Sequence, residues 1–262
     1  MDISEHELTR MTKEMDELNE DQGLPQMQHA AQEWTEAIKD QLDHKRKGVT
    51  SRRSFLLGIG AVGGGALLAA CGSSTSATKS KAVTPVAPTS ASSAQLDDLH
   101  IAAMATSLEN LAVYAYGAGI AAAKAGKLGS VPPAVVTFAE TARAQHQSHA
   151  NAWNSVLTGA GKPKVTATDP VLTPVVNAKF KSVTNVTELA ELALLLEDTA
   201  AQTYLAGISA LTGSSAIELA GSIEPVEMQH SAILNFVLGK YPVPNAFEPT
   251  ALARPLSDYT RL

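Results

Sequence analysis

Cysteine is nearly absent: the 262-residue chain holds one, Cys71. An internal disulfide, a zinc finger and a CxxC redox pair all need more, so each is excluded. Aromatic residues make up only 5% of the chain, too few for a base-stacking platform or a carbohydrate-binding surface. Cations are scattered and the formal net charge is −6. No basic face can be assembled from them, so nucleic acid is excluded as a partner. Long apolar runs are missing as well. The best, Gly58 to Ala70, is broken by glycines and falls short of the ~20 residues a spanning helix requires. Alanine and leucine dominate the remaining stretches, which favours helix. The length allows one or two domains at ~150 residues each.

The chain is divided by a short segment. Residues 51–57 read Ser-Arg-Arg-Ser-Phe-Leu-Leu, and the weakly apolar run that follows ends in Leu68-Ala69-Ala70-Cys71. Arg52 and Arg53 before such a run resemble a twin-arginine export signal, and the run's end resembles the lipobox of bacterial lipoproteins. These resemblances imply passage through the twin-arginine export machinery and a diacylglycerol on the Cys71 sulfur. The expected location is the extracytoplasmic face of a bacterial membrane, in the cell envelope, with the membrane as partner through the lipid anchor. Residues 72–94 are rich in Ser, Thr, Ala and Pro and have no periodic apolar face, so they read as a flexible, disordered linker. Residues 1–50 are polar and acid-rich, suggesting one or two helices around 5–21 and 26–46. They form either a contact for an export chaperone or partner, or, on the simpler reading, an overlong leader or the product of a start codon placed too early, since Met15 and Met27 are also available. The domain plan is therefore 1–50 polar region, 51–71 signal and lipobox, 72–94 linker, 95–239 helical domain and 240–262 C-terminal tail.

Four long helices are expected in the helical domain. From Gln95 to Lys124, the residues Leu96, Leu99, Ala103, Leu108, Leu111 and Ile120 recur at helical spacing. Pro132 and Pro133 open a second helix to about Leu157, with Gly159 and Gly161 closing it. A third runs from about Thr187 to before Gly213, and a fourth from Ser214 or Ser215 to Leu238. Pro225 lies inside the fourth and should kink it or split off a short first piece. Residues 159–186 are long enough to cross from one end of a bundle to the other. Two hairpins joined by one long crossover make an all-α, antiparallel four-helix bundle of ferritin-like topology.

An internal repeat carries the candidate chemistry. Leu108-Glu109 precedes Tyr116 and Ile120 at the same offsets by which Leu196-Glu197 precedes Tyr204 and Ile208. Aligning His149 with His230 also aligns Asn154 with Asn235, and places His146 where the fourth helix has Glu227. Glu227 and His230 stand one turn apart on one face, as do His146 and His149. This pattern resembles the ferritin-like di-iron carboxylate proteins, in particular an exported bacterial branch, over about residues 95–239. The resemblance implies Glu109 and Glu197 as terminal carboxylates, Glu227 as a bridging carboxylate, and His149 and His230 as nitrogen ligands. The departure is His146, which stands where the family has a second bridging glutamate.

Four carboxylates neutralise two divalent irons and bridge them at ~3.5–4 Å. Three carboxylates with three imidazoles do neither fully, and suit zinc, copper or a single iron at least as well. The expected function is a membrane-anchored metal-binding protein with an oxidase or metal-handling role. The alternative is a non-catalytic interaction or structural lipoprotein in which the same polar groups simply pair. Tyr116 and Tyr204 read as core residues with a hydrogen bond each. The sequence leaves substrate and oligomeric state open.

Overall fold

In the computed structural model, residues 4–57 and 91–255 are described. Arg52 and Arg53 fall in the last turns of a described helix, whereas Cys71 and residues 72–90 of the expected linker lie outside the described residues; residues 91–94, read as linker from the sequence, are instead the first turn of a helix. The order is α1 (Glu5–Leu18), a π-helical turn (Asn19–Gly23), α2 (Leu24–Leu57), α3 (Ala91–Lys124), α4 (Pro133–Gly159), α5 (Leu172–Phe180), α6 (Val186–Ala210) and α7 (Ser214–Val237). No strand occurs among the described residues, and no helix among them is long and apolar enough to cross a membrane. The ferritin-like bundle consists of α3, α4, α6 and α7, with α3 packed chiefly on α4 and α6 on α7.

Local chemistry sets the helix ends. Pro133 opens α4 at a position where the missing N–H costs nothing. Gly161 (φ 74°) lets the Lys162 N–H return to the Leu157 carbonyl at 2.8 Å, and Gly239 (φ 70°) lets Lys240 return to Asn235 at the same distance. A β-carbon would be strained in either left-handed turn. Gly159 has a different use. A Cβ there would lie 2.3 Å from Thr35 Cγ2, so its bareness allows α2 to lie close against α4. Asn185 caps α6 by accepting from the Glu188 N–H at 3.0 Å, and Glu188 accepts in return from Thr184 N–H at 2.7 Å.

The crossover from α4 to α6 is tied down rather than loose. Asn154 accepts from the Val165 N–H at 2.8 Å and donates to its carbonyl at 3.0 Å, while Asn110 donates to Val165 and Ala167 carbonyls. Asp169 then starts α5 by accepting from the N–H groups of Val171 and Leu172 at 2.9 and 2.7 Å. Asn235, the repeat partner of Asn154, donates to the Pro242 carbonyl after its own helix. Both asparagines thus hold the chain that leaves their helix.

Of the two outcomes expected at Pro225, a kink or a split, the split does not occur: α7 runs unbroken from Ser214 to Val237 with the proline inside. Pro225 removes the N–H that would reach the carbonyl of residue 221, a glycine position with open space beside it. The crossover also contains a helix, α5, where the sequence reading left only a connector.

The N-terminal region is where the structure adds most. Helices α1 and α2 pack on α4 and α7. They bury Leu8, Met15, Met27, Ala30, Ala31, Trp34 and Ile38. Trp34 and Trp153 meet in a T-shaped contact with centroids 6.1 Å apart and planes at 85°. In a polar stretch those apolar positions are sparse, but they share one face of each helix, and that face lies on the bundle. Leu111 and Leu192 are core residues, 2% and 8% exposed.

Candidate metal centre

Each bundle helix contributes to one buried cluster. Glu109 comes from α3, His146 and His149 from α4, Glu197 from α6, and Glu227 and His230 from α7; none is more than 2% exposed. The spacing His-x-x-His on α4 and Glu-x-x-His on α7 puts each pair on the inward face, one turn apart. Two overlapping sets of four have ligand atoms all within 4.8 Å of one another: Glu109, His146, His149 and Glu227, and His146, Glu197, Glu227 and His230.

His146 and Glu227 belong to both sets and occupy the middle. His146 Nδ1 is 2.8 Å from Glu109 Oε2, and its Nε2 is 3.2 Å from Glu197 Oε1. Glu227 turns Oε1 towards His149 Nδ1 at 3.0 Å and Oε2 towards His230 Nδ1 at 3.8 Å. His230 Nδ1 also lies 3.2 Å from Glu197 Oε2, and His149 Nδ1 3.4 Å from Glu109 Oε2. Each oxygen of the buried Glu227 carboxylate therefore faces a different imidazole.

The tyrosines exchange partners across the bundle. Tyr116 of α3 donates to Glu197 of α6, and Tyr204 of α6 donates to Glu109 of α3. The Trp153 indole N–H adds a bond to the Tyr204 oxygen at 2.8 Å. Burial, with the neighbouring carboxylates, pushes both phenols well above their ordinary range, so they stay protonated donors.

Burial opposes the charges of the cluster, but mutual attraction exceeds it. The imidazolium charge of His149 and the hydrogen bond from His146 bring Glu109 down to about 2 despite burial, and Glu197 is held well below its ordinary value by His146 and His230. Against the same burial, Glu109 and Glu227 hold His149 up at about 9, and Glu227 and Glu197 hold His146 well above its ordinary value. His230 is raised too, chiefly by Glu197 once burial is overcome. Both ring nitrogens of His146 face carboxylate oxygens, which favours the protonated ring when no metal is bound.

The donor set fits a transition metal. Glu227 Oε1 and Oε2 and His149 Nδ1 are buried without a well-formed hydrogen bond; Glu227 is compensated only by its ion pairs with His149 and His230 at 3.0 and 3.8 Å, an arrangement in which a bound cation could take the place of the imidazole protons. No lysine or arginine among the described residues enters the cluster. Arg143 is exposed, with its guanidinium beside Gly117, and the buried Arg254 pairs with Asp169 at 3.3 Å. Glu140 bonds Lys124 outside the bundle, while Glu224 stays half-buried, raised by that burial and by Glu248 and Glu227. A cavity of about 90 Å³, walled by Leu111, Ala115, Ile120, Leu189 and Ala193, ends against Tyr116, His146 and Glu197.

The family described as ferritin-like domain matches residues 97–240. The chain belongs to that family. The match begins in α3 and ends just after α7, so it covers the bundle and leaves α1 and α2 outside. No curated protein and no solved structure matches the chain. Within the ferritin-like domain, the position of His146 opposite Glu227 makes the two halves unequal: one inward helix brings two imidazoles, the other a carboxylate and an imidazole.

One residue of the site escaped sequence reading. Gln145 is 2% exposed and its Oε1 lies 2.8 Å from His230 Nε2. The only signal was a polar side chain next to His146, where the repeat has Val226 on the other hairpin.

Proposed function

We propose that this ferritin-like domain binds a transition metal in the α3–α4–α6–α7 cluster and serves an oxidase or metal-handling role. The observation that carries the reading is the buried Glu227 carboxylate, unpaired by hydrogen bonds and shared by two four-donor sets. Glu109 and Glu197 would be terminal carboxylates, Glu227 the bridge, and His149 and His230 the nitrogen ligands, with His146 a further donor once it loses a proton. A redox-active ion bound there would supply electrons to oxygen or peroxide. Around it, Tyr116 and Tyr204 orient the terminal carboxylates, and the apolar wall keeps water from competing for them. With three carboxylates and three imidazoles, one iron, zinc or copper is favoured over a paired iron centre.

Metal analysis of the full chain after anaerobic loading tests this. Wild type should retain metal, and Glu227→Ala should lose it because both donor sets lose a member. Equal retention in the two proteins would remove Glu227 from the site.

A second reading has its own support. His146, held between Glu109 and Glu197 through both ring nitrogens, resembles a satisfied internal ion network and would suit a non-catalytic interaction or structural protein. Absence of metal in wild type under the same loading would favour it.

We also propose that the protein is exported by the twin-arginine route and lipid-anchored at Cys71, on the strength of Arg52-Arg53 and the Leu-Ala-Ala-Cys ending. Arg52→Lys with Arg53→Lys should retain the precursor in the cytosol, because the guanidinium pair and not mere charge is read. Cys71→Ala should block lipid labelling. Normal export or labelling of these variants would overturn the proposal.

A further inference from the structure

The N-terminal helices reach the donor cluster through a single file of polar groups. Asp16, half-buried on α1, accepts a hydrogen bond from Gln145 Nε2 at 3.0 Å. Gln145 Oε1 in turn faces His230 Nε2 at 2.8 Å, and His230 Nδ1 faces Glu197 Oε2 at 3.2 Å. The chemistry of each link dictates the next. A carboxylate only accepts, so Asp16 selects the NH2 side of the Gln145 amide. The amide oxygen is then left for His230, and an amide oxygen also only accepts. His230 must therefore carry a hydrogen on Nε2, whether or not Nδ1 is also protonated by the carboxylate it faces, and Nδ1 is the atom presented to the carboxylates. A histidine that ligates a metal through one nitrogen and donates from the other to a fixed acceptor is the arrangement second-sphere partners enforce.

Packing holds Asp16 in place. On α1, Leu8 and Met15 join the apolar cluster of Phe138, Ala142, Ile233 and Leu234. The Phe138 ring stands edge-on to His230, with centroids 6.2 Å apart. Without Asp16 the Gln145 amide can turn over and present its NH2 to Nε2. That would place the hydrogen of a neutral ring on Nδ1, the nitrogen that faces the site.

We propose that α1, which lies outside the segment matched by the ferritin-like family, is part of the centre: Asp16 is a positioning residue that, through Gln145, keeps His230 protonated on Nε2 with Nδ1 turned to the carboxylates. The consequence for metal rests on the metal-binding reading; the hydrogen-bond chain itself does not.

Two measurements on the full chain separate them. In metal-free protein, nitrogen–proton NMR of the imidazoles should show a slowly exchanging Nε2–H for His230. Asp16→Ala and Asp16→Leu should lose its protection, and Asp16→Asn, which keeps an acceptor oxygen, should restore it. Cobalt(II) alone, titrated against a chelator and followed by its visible absorption, should bind about 10–100-fold more weakly to the Ala and Leu variants. The Asn variant should bind like wild type. An unchanged Nε2–H in Asp16→Ala, or an Asn variant as impaired as Ala, would overturn the proposal. If wild type takes up no cobalt, the metal-binding reading fails, while the NMR result still decides the role of Asp16.

Discussion

The hairpins α3–α4 and α6–α7 are two versions of one unit that differ at the point where chemistry would occur. Each carries an inward glutamate, a tyrosine two turns later, a histidine on its second helix and an asparagine that clamps the departing chain. Their tyrosines even cross over to serve each other's glutamate. At the remaining inward position one unit has Glu227 and the other His146. The difference replaces a carboxylate with a ring that lies between Glu109 and Glu197. A symmetric scaffold can therefore hold an asymmetric charge set, provided the odd side chain finds partners on both halves. The fold tolerates the change because the imidazolium forms hydrogen bonds in both directions.

The largest test of this comparison makes the halves alike. His146→Glu supplies the fourth carboxylate, and anaerobic ferrous loading should rise from about one iron per chain towards two. Two irons already in wild type, or no increase on substitution, would mean that His146 does not set the stoichiometry.

A second test asks whether the halves share one core. Leu111 on α3 and Leu192 on α6 both line the cavity beside the cluster. Truncating either to alanine should cost about 2–5 kcal/mol in denaturant unfolding. A cost under about 1 kcal/mol for either would show that its half is not tightly packed there.

The tyrosines provide a finer contrast. Tyr204→Phe removes the donor to Glu109 and also strands the Trp153 N–H, whereas Tyr116→Phe removes only the donor to Glu197. The first should cost about 2–3 kcal/mol and the second about 1–2 kcal/mol. Equal costs would mean that the Trp153 bond contributes nothing.

The smallest expected effect is on pH dependence without metal. His149 is raised from 6.5 to about 9, so its stabilisation is complete below about pH 6.5 and is lost as pH rises through 9. Glu109 is lowered from 4.5 to about 2, so its contribution is complete above about pH 4.5 and is lost as pH falls through 2. Melting temperature should be highest between about pH 4.5 and 6.5 and fall by a few degrees on the alkaline side. Because metal must displace protons from the imidazoles, its stabilising effect should grow over the same alkaline range. A flat profile from pH 6 to 9 would contradict the imidazolium cluster.

The donor residues were legible because a helix converts sequence spacing into direction. Pairs at i and i+3 share a face whatever surrounds them, and the Glu–Tyr offset recurs in the repeat. Gln145 was not legible: nothing local distinguishes a glutamine that orients a histidine from one that faces solvent. Nor was the docking of α1 and α2. Their apolar residues are few, and their partner face on α4 and α7 lies more than a hundred residues away in sequence. Pro225 left two outcomes open for a related reason, since a proline marks a missing N–H, but the packing around the helix decides whether it breaks.

Helix content, the four-helix plan and the shared face of each pair, His146 with His149 and Glu227 with His230, follow from composition and period, which are properties of neighbouring residues. The identity of the acceptor at each ring nitrogen, the bridging attitude of Glu227, the crossed tyrosines and the reach of Asp16 into the centre depend on which helices lie side by side. The hydrogen bonds among them join residues 33 to 129 positions apart. Only burial of the joint apolar face, acting on the whole chain at once, brings them within hydrogen-bond distance.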